Sequence, residues 1–295
     1  MIIIPGPAST ELGKRIALEL GLEPEPVDHR LFPDGESYIR LTSSVEGETA
    51  VLVQTTAPNP DTRLMQLLIM ARTAEDFGAG RIIACVPYLA YMRQDKRFLE
   101  GEALSFDVVL GLLEDSGVGD LIVVDLHSEE SLRRLQPNHR LRVHTLSAIP
   151  ALAKYLKGNG FDGAYSLSPD EGRRDIVSAA SEVLGGGFAF FEKKRDLHTG
   201  ETTMFVKDVG VRGRKAVVFD DVISSGGTMA KAVRALRAQG AVRVAAACTH
   251  ALFMGGAEEK LRDAGADLIV ASDSVETPFS RVSVAGVVAG LLRGL

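Results

Sequence analysis

The sequence predicts an α/β fold made of two doubly wound domains with mainly parallel sheets. Short runs of β-branched residues alternate along the chain with longer segments that have the periodicity of amphipathic helices. This alternation is typical of βαβ units, whose strands pair in parallel. In each half a hydrophobic strand ends in acidic residues, at Asp125 in the first half and at Asp220 and Asp221 in the second. A chain of 295 residues has room for two such domains, so this likeness indicates a duplication.

The strands and helices follow from local composition. Six short apolar runs predict strands at residues 50–54, 81–86, 121–125, 215–219, 243–248 and 268–271. Seven longer periodic segments predict helices at residues 9–20, 62–77, 105–114, 173–184, 228–239, 257–264 and 283–292. We expect an N-terminal domain at residues 1–147 and a C-terminal domain at residues 148–282. Residues 283–295 should form a helix that packs back on the N-terminal domain.

Composition and charge narrow the class of protein. Hydrophobic residues make up 45% and charged residues 24% of the chain, as in ordinary globular proteins. The net charge of −6 favours neither a nucleic acid nor an acidic membrane as partner, so an anionic substrate would need a local basic site. The apolar run at residues 1–5 is too short for a secretion signal, and Cys85 and Cys248 lie in strand-like runs typical of reduced core cysteines. We therefore expect a cytoplasmic protein.

The most specific segment is a loop of small residues between a predicted strand and a predicted helix. Asp220 and Asp221 end the strand, and the loop consists of Ser224, Ser225, Gly226, Gly227 and Thr228. Small residues let the backbone approach a ligand, while successive N–H groups and a helix N-terminus attract phosphate. The two carboxylates would repel that phosphate, but they suit ribose hydroxyls or a hydrated Mg²⁺. A simple turn and helix cap would not require the acidic pair.

A second glycine pattern has a different interpretation. Residues 158–163 match the letters G-x-G-x-x-G of dinucleotide-binding folds. A predicted helix precedes them and a strand follows, which is the reverse of the order that binds a pyrophosphate. We predict a helix end and a turn there. The sequence also has no G-x-x-x-x-G-K-[ST] loop, so ATP would be bound by other means.

Five further segments have modest meaning in isolation. Each of them also has a purely structural explanation, which is, in the order of the segments below, a turn, a basic surface, a structural histidine, a second turn and a basic hairpin. The segments are Phe32-Pro33-Asp34-Gly35-Glu36, Arg93-Gln94-Asp95, Asp125-Leu126-His127-Ser128, Ser168-Pro169-Asp170-Glu171-Gly172 and Glu192-Lys193-Lys194-Arg195.

Together the segments carry a family resemblance. The acidic pair and the loop after it resemble the binding motif of type I phosphoribosyltransferases. All the motifs, in this order and over nearly the whole chain, resemble the ribose-phosphate pyrophosphokinase family in its shorter, archaeal-type class. The resemblance implies two phosphoribosyltransferase-like domains. It also implies transfer of the β,γ-diphosphoryl group of ATP to the 1-hydroxyl of ribose 5-phosphate, with Mg²⁺ as cofactor.

The resemblance also implies roles for residues of the first domain. The family residues that match Phe32, Asp34 and Glu36 reach into a neighbouring subunit and contact adenine. Those that match Arg93, Gln94 and Asp95 help to bind ATP. We therefore expect a homo-oligomer with the ATP site at a subunit interface.

The remaining roles concern the sugar, the metal and the transferring phosphates. By resemblance, Asp220, Asp221 and the loop at residues 224–228 bind ribose 5-phosphate, and His127 and Asp170 attend Mg²⁺. Lys193 and Arg195 would act on the transferring phosphates. The polar stretch that follows them, at residues 196–203, is typical of a lid that excludes water.

Two other functions share some of these features. A nucleobase phosphoribosyltransferase would use the same phosphate loop, but it would leave the motifs of the first half unexplained. A non-catalytic regulatory homologue would keep the fold without the chemistry, but Asp170, Lys193, Arg195 and the acidic pair are all present. One departure from the family concerns position 224, which is Ser where many relatives carry an acid. Binding of the sugar would therefore depend more on Asp220 and Asp221.

Overall fold

A computed structural model describes residues 1–195, 202–205 and 209–295, with side chains described for residues 1–191 and 209–295. The chain forms two compact units. Unit 1 comprises Met1–Ser147 and Ser283–Leu295, and unit 2 comprises Ala148–Val282.

Strands and helices alternate in both units. The elements of unit 1 are, in chain order, β1 (Ile2–Pro5), α1 (Thr10–Leu20), β2 (Val27–Leu31), β3 (Ser37–Leu41), β4 (Thr49–Val53), α2 (Pro60–Asp76), β5 (Arg81–Cys85), α3 (Ser105–Asp115), β6 (Asp120–Val124), α4 (Glu129–Leu135) and β7 (Arg142–Leu146). Those of unit 2 are α5 (Ile149–Leu156), β8 (Tyr165–Ser168), α6 (Arg174–Leu184), β9 (Phe188–Phe190), β10 (Glu192–Arg195), β11 (Thr202–Phe205), β12 (Lys215–Ile223), α7 (Gly227–Ala238), β13 (Arg243–Ala251), α8 (Ala257–Asp263), β14 (Leu268–Ser272) and β15 (Ser280–Val282). The last helix, α9 (Ala285–Leu292), belongs to unit 1.

Unit 1 is built on a five-stranded parallel sheet in the order β1-β4-β5-β6-β7. Its three central strands, β4, β5 and β6, are mostly apolar because helices cover both faces of the sheet, whereas the edge strand β7 is more polar. Alternate strand residues, among them Ile4, Leu52 and Leu121, pack in one core with α2, α3 and α4. α1 packs against β1, β4 and α9. The guanidinium of Arg293, just after α9, donates to the backbone oxygen of Glu19 in α1.

β2 and β3 form a separate antiparallel hairpin in unit 1. The hairpin lies against α2, and Ile39 and Leu41 pack on the unit 1 core. Its loop consists of residues 32–36, so the segment predicted as a turn joins two strands that were not predicted. These strands are short and half-exposed, and they lack the apolar run that marks a buried strand.

Unit 2 is built on a six-stranded parallel sheet in the order β15-β14-β13-β12-β8-β9. α7 and α8 pack with one set of strand residues, including Leu167, Val218 and Ala246, while α5 and α6 pack on each other. From β8 the chain passes to β9 at one edge and then returns to β12 on the other side of β8. The order of strands therefore reverses between β8 and β12. In open α/β sheets this is where ligands bind, beyond the carboxyl ends of the strands.

The predicted elements are confirmed, and most of their ends are correct to within two residues. β12 and β13 are longer than predicted and extend to Ile223 and Ala251. Residues 158–163 lie in the predicted turn after α5, and Gly160 adopts a φ of +90°. Both cysteines are buried and unpaired, as predicted, and burial raises the pKa of Cys85 to about 12. Among the described residues, none of the helices combines the length and the apolar character needed to cross a membrane.

Candidate functional site

The phosphate loop lies at the reversal of strand order in unit 2. β12 ends at Ile223, and α7 begins at Gly227. Gly226 caps the helix with a φ of +75°, and a Cβ atom there would lie 3.0 Å from the Cβ of Ala257. Only glycine meets both the backbone conformation and the close approach without strain. The N–H groups at the start of α7 are thereby set at the carboxyl end of the sheet.

Neighbouring backbone and side-chain groups fix this loop further. The N–H of Met254 donates to the backbone oxygen of Ser224 at 3.0 Å. The ammonium of Lys260 donates to the backbone oxygen of Ser225, also at 3.0 Å. These bonds fix two carbonyl groups of the loop, while Ser225 and Thr228 are exposed. The structure therefore brings the predicted phosphate-binding residues into one ordered loop.

The acidic pair lies within β12, just before the loop. Asp221 is buried and Asp220 is half-buried, and the Asp221 N–H donates to Oδ1 of Asp220 at 2.9 Å. Nη2 of Arg173 lies 2.8 Å from Oδ2 of Asp221, and its Nε lies 3.6 Å from Oδ1 of Asp220. One guanidinium thus bridges both carboxylates.

The electrostatic balance of the pair shows why the guanidinium matters. Burial and the neighbouring charge of Asp221 raise the pKa of Asp220 well above its usual range. The charge of Asp170 acts in the same direction, while Arg173 opposes the rise. Arg173 therefore favours the charged form of the pair, which accepts hydrogen bonds.

Asp170 lies in the turn after β8, next to the acidic pair. The hydroxyl of Ser168 donates to the backbone oxygen of Asp170 at 2.7 Å. Carboxylate oxygens are the ligands that Mg²⁺ prefers, so Asp170 and its acidic neighbours fit this ion chemically. In the part of the chain with described side chains, however, no three Asp, Glu, His or Cys side chains are grouped as a metal site. A bound Mg²⁺ would therefore take further ligands from substrate phosphates and water.

The hairpin loop of unit 1 presents its predicted ATP-binding residues to the surface. Phe32, Asp34 and Glu36 are all exposed. The Phe32 N–H donates to the Glu36 oxygen at 2.8 Å, and the Glu36 N–H donates to Oδ1 of Asp34 at 3.2 Å. The guanidinium of Arg30 lies 5.4 Å from the ring centroid of Phe32 and 4.6 Å from that of Tyr38. These contacts shape the loop and leave the aromatic ring accessible.

The three residues of the Arg-Gln-Asp motif differ in their exposure to solvent. Arg93 and Gln94 are exposed, whereas Asp95 is buried. The carboxylate of Asp95 accepts a hydrogen bond from the hydroxyl of Ser131, and Arg134 donates to its backbone oxygen. Asp95 therefore anchors the segment to α4, and its predicted contact with ATP stays a prediction.

His127 follows β6 and is half-buried. Asp125, two residues earlier, has a left-handed backbone with a φ of +43°, and its N–H donates to the oxygen of Leu146 at 2.7 Å. A non-glycine residue in this conformation costs free energy and is found preferentially at functional sites. The hydroxyl of Ser128 then caps α4 by accepting the Ser131 N–H.

Lys193 and Arg195 belong to β10, which pairs in antiparallel fashion with β11. The two side chains lie outside the described part of the structure. So do residues 196–201, which contain most of the predicted lid. The catalytic assignments of Lys193 and Arg195 remain predictions.

Sequence reasoning missed Arg173 as a site residue. It was predicted to be the first residue of a helix, but α6 begins at Arg174 and Arg173 is its N-cap. Two neighbouring arginines in a turn after a strand gave a weak signal of a basic site. Only the pairing of β8 with β12 shows that one of them contacts the acidic pair.

Comparisons with known proteins agree with this architecture. A family model described as the N-terminal domain of ribose phosphate pyrophosphokinase matches residues 1–117. A second model, for a phosphoribosyl transferase domain, matches residues 168–281. The structure superposes on phosphoribosylpyrophosphate synthetase from Mycobacterium smegmatis with a TM-score of 0.87 and 30% identity, covering 99% of this chain and 97% of the other. The predicted fold of two phosphoribosyltransferase-like domains is thus confirmed.

Curated relatives match along the full length. A ribose-phosphate pyrophosphokinase of Methanopyrus kandleri is 39% identical over 297 residues, covering 100% of this chain and 99% of the relative. One of Saccharolobus solfataricus is 37% identical over 276 residues, covering 93% of each. Both organisms are archaea, in keeping with the predicted class. Because these relatives are more than 30% identical along nearly the whole chain, the chain belongs to the ribose-phosphate pyrophosphokinase family.

Proposed function

We propose that the protein transfers the β,γ-diphosphoryl group of ATP to the 1-hydroxyl of ribose 5-phosphate, giving 5-phosphoribosyl 1-diphosphate and AMP. The single observation that carries this proposal is the site at the strand reversal of unit 2. An ordered phosphate loop there follows directly on two carboxylates, in a chain that belongs to this family.

The geometry of the loop suits a phosphorylated sugar. The 5-phosphate would accept hydrogen bonds from the N–H groups at the start of α7 and from the hydroxyls of Ser225 and Thr228. Asp220 and Asp221 would accept hydrogen bonds from the ribose hydroxyls. Together they fix both ends of the sugar and hold its 1-hydroxyl ready to attack the β-phosphorus.

The nucleotide would be bound by residues of unit 1. The exposed ring of Phe32 can stack on adenine, with Asp34 and Glu36 accepting hydrogen bonds from it. Arg93 can bind phosphate oxygens bidentately, and Gln94 adds a polar contact. We further propose, from the family resemblance, that Phe32 and Arg93 of one ATP site come from different subunits of a homo-oligomer.

Charge neutralisation is the main chemical requirement because both substrates are anions. Mg²⁺ would neutralise the transferring phosphates, with Asp170 as a carboxylate ligand, and the family resemblance implies that His127 also attends the ion. Lys193 and Arg195 would meet the charge that develops as AMP departs. The domain roles follow: ATP and subunit contacts in residues 1–147, and ribose 5-phosphate in residues 148–282. A cytoplasmic location and the absence of a nucleic-acid partner complete the proposal.

Product analysis tests this function directly. Protein, ribose 5-phosphate, ATP and Mg²⁺ are mixed, and phosphorus NMR follows the nucleotides and the sugar phosphates. We expect AMP and phosphoribosyl diphosphate in equal amounts, and no AMP when ribose 5-phosphate is left out. ADP as the stoichiometric product would contradict the proposal, because it would show transfer of a single phosphoryl group.

A further inference from the structure

Arg173 connects the two strands at the reversal of unit 2. It follows β8, at the end of a short 3-10 turn formed by Glu171–Arg173, and its side chain reaches across to β12. Its carboxylate partners Asp220 and Asp221 belong to β12, 47 and 48 residues further along the chain. The guanidinium is largely shielded, with 15% of the side chain exposed.

The acidic pair needs such a counter-charge. Two adjacent carboxylates that are shielded from water repel each other, and each loses hydration. Asp170 adds a third negative charge nearby. Without a cation the two carboxylates would move apart and no longer present their oxygens to the same sugar.

A carboxylate can accept hydrogen bonds from the guanidinium and from a ligand at the same time. Arg173 contacts one oxygen of each carboxylate, and a carboxylate offers about four sites to hydrogen-bond donors. The guanidinium therefore has no need to leave when the ribose hydroxyls bind. Its planar fork can meet two carboxylates at once, whereas the single ammonium of lysine is a point charge.

We propose that Arg173 is a positioning residue for ribose 5-phosphate, which holds the carboxylates of Asp220 and Asp221 in place to accept the ribose hydroxyls. The proposal rests on the function proposed above. Arg173 acts through the acidic pair and makes no contact with the reacting atoms.

The test compares Arg173→Met, Arg173→Lys and a matched control, Arg174→Met, which removes the exposed neighbouring arginine. Calorimetry measures ribose 5-phosphate binding to the full chain loaded with Mg²⁺ and α,β-methylene-ATP, which cannot donate its diphosphoryl group. We expect Arg173→Met to weaken sugar binding at least about tenfold, as for the loss of a hydrogen bond to a charged group. Arg173→Lys should fall between Arg173→Met and the wild type, and Arg174→Met should bind like the wild type.

A double-mutant cycle separates this role from a general effect on folding. Asp221→Asn and Arg173→Met should each weaken sugar binding, and the double variant should lose less than the product of the two losses. The Michaelis constant for ATP should change little in all variants. Should Arg173→Met fail to fold, the comparison of Arg173→Lys with the wild type decides.

Three results would overturn the inference: unchanged sugar affinity in Arg173→Met, tighter binding in that variant, or losses that simply multiply in the cycle. Tighter binding would mean that Arg173 competes with the sugar for the acidic pair. If the wild-type protein itself failed to bind ribose 5-phosphate, the proposed function would be at fault, whatever the variants do.

Discussion

The side-chain amide of Gln66 in α2 donates to the hydroxyl of Ser37 in β3 at 3.0 Å. Gln66 is fully buried, and its Nε2 also lies 3.1 Å from Nε2 of His29 in β2. Its oxygen accepts hydrogen bonds from Gln54 at 3.2 Å and from Arg63 at 3.0 Å. Every hydrogen-bonding group of the amide is thus used. Since the hairpin lies outside the parallel sheet, this side chain fixes both of its strands to the helix.

Replacing Gln66 by Leu should therefore release the hairpin. We expect the free energy of unfolding to fall by about 2 to 4 kcal/mol, because the buried Gln54 and three half-buried partners lose their hydrogen bonds. The Michaelis constant for ATP should rise because the loop at residues 32–36 loses its support. Urea unfolding and steady-state kinetics measure the two effects. Met65→Ala, on the exposed side of the same helix, is the control and should stay within about 0.5 kcal/mol of the wild type.

Asp120 should make the stability of the protein depend on pH in the acidic range. Its buried carboxylate accepts hydrogen bonds from Arg142, His144 and Arg81. Burial pushes its pKa upward, but these bonds outweigh burial and lower the pKa to about 2.

Because the folded pKa lies below the unfolded one, the contribution of Asp120 is complete above about pH 4 and is lost as the pH falls through 2. It amounts to roughly 2 kcal/mol. Asp120→Asn should lower the unfolding free energy at pH 7 by at least about that amount. In this variant the unfolding free energy should also decrease less than in the wild type when the pH is lowered from 4 to 2. Chemical denaturation across this range measures both, with the exposed Asp115→Asn as control. An equal acid dependence in Asp120→Asn and the wild type would contradict this assignment.

Gly226→Ala should damage the phosphate loop. The left-handed backbone at this position is strained for alanine, and the new Cβ would lie too close to Ala257. We expect a loss of about 1 to 3 kcal/mol in stability and a higher Michaelis constant for ribose 5-phosphate. Gly158→Ala, where a Cβ would meet no atom within 4 Å, should be nearly neutral in the same assays. A Gly226→Ala protein with normal stability and normal sugar binding would show that the loop tolerates the side chain.

Lys193→Ala and Arg195→Ala should each lower the turnover rate by about 10² to 10³ and change both Michaelis constants only modestly. The physical reason is that these cations would meet charge that develops only in the transition state. The double variant should lose less than the product of the single losses. Lys194→Ala is the matched control and should keep near-normal turnover. Steeply raised Michaelis constants with normal turnover would instead indicate ground-state binding.

Mixing two inactive variants tests whether the ATP site is shared between subunits. Phe32→Ala and Lys193→Ala subunits that have exchanged should recover part of the activity, because some mixed sites take both motifs from intact chains. Native mass spectrometry of differently tagged subunits shows that exchange has occurred. Proven exchange without any recovery would place both motifs of each site in one subunit.

The sequence by itself determined the most apolar strands, most of the helices and the local site. Apolar runs predicted the three central strands of the first sheet and strands β12, β13 and β14 of the second, and periodicity predicted seven helices, since these signals depend on residues close together in the chain. The edge strands β1, β7 and β15 and the short helix α4 were not predicted. The acidic pair and the phosphate loop were found because residues 220–228 form one continuous segment. Cys85 and Cys248 were placed in the core because buried parallel strands are apolar throughout.

The tertiary structure decided what depends on strand order and packing. The bridge from Arg173 to Asp220 and Asp221 exists because β8 and β12 pair although a long stretch of chain separates them. Asp95 follows two exposed residues, and its burial became evident only once α4 supplied Ser131 as a partner. Strands β2 and β3 could not be predicted from an apolar run because few of their side chains are buried. The amide of Gln66 and a few partly buried side chains hold them in place. Such contacts join distant segments, and a linear pattern carries no information about which segments will meet.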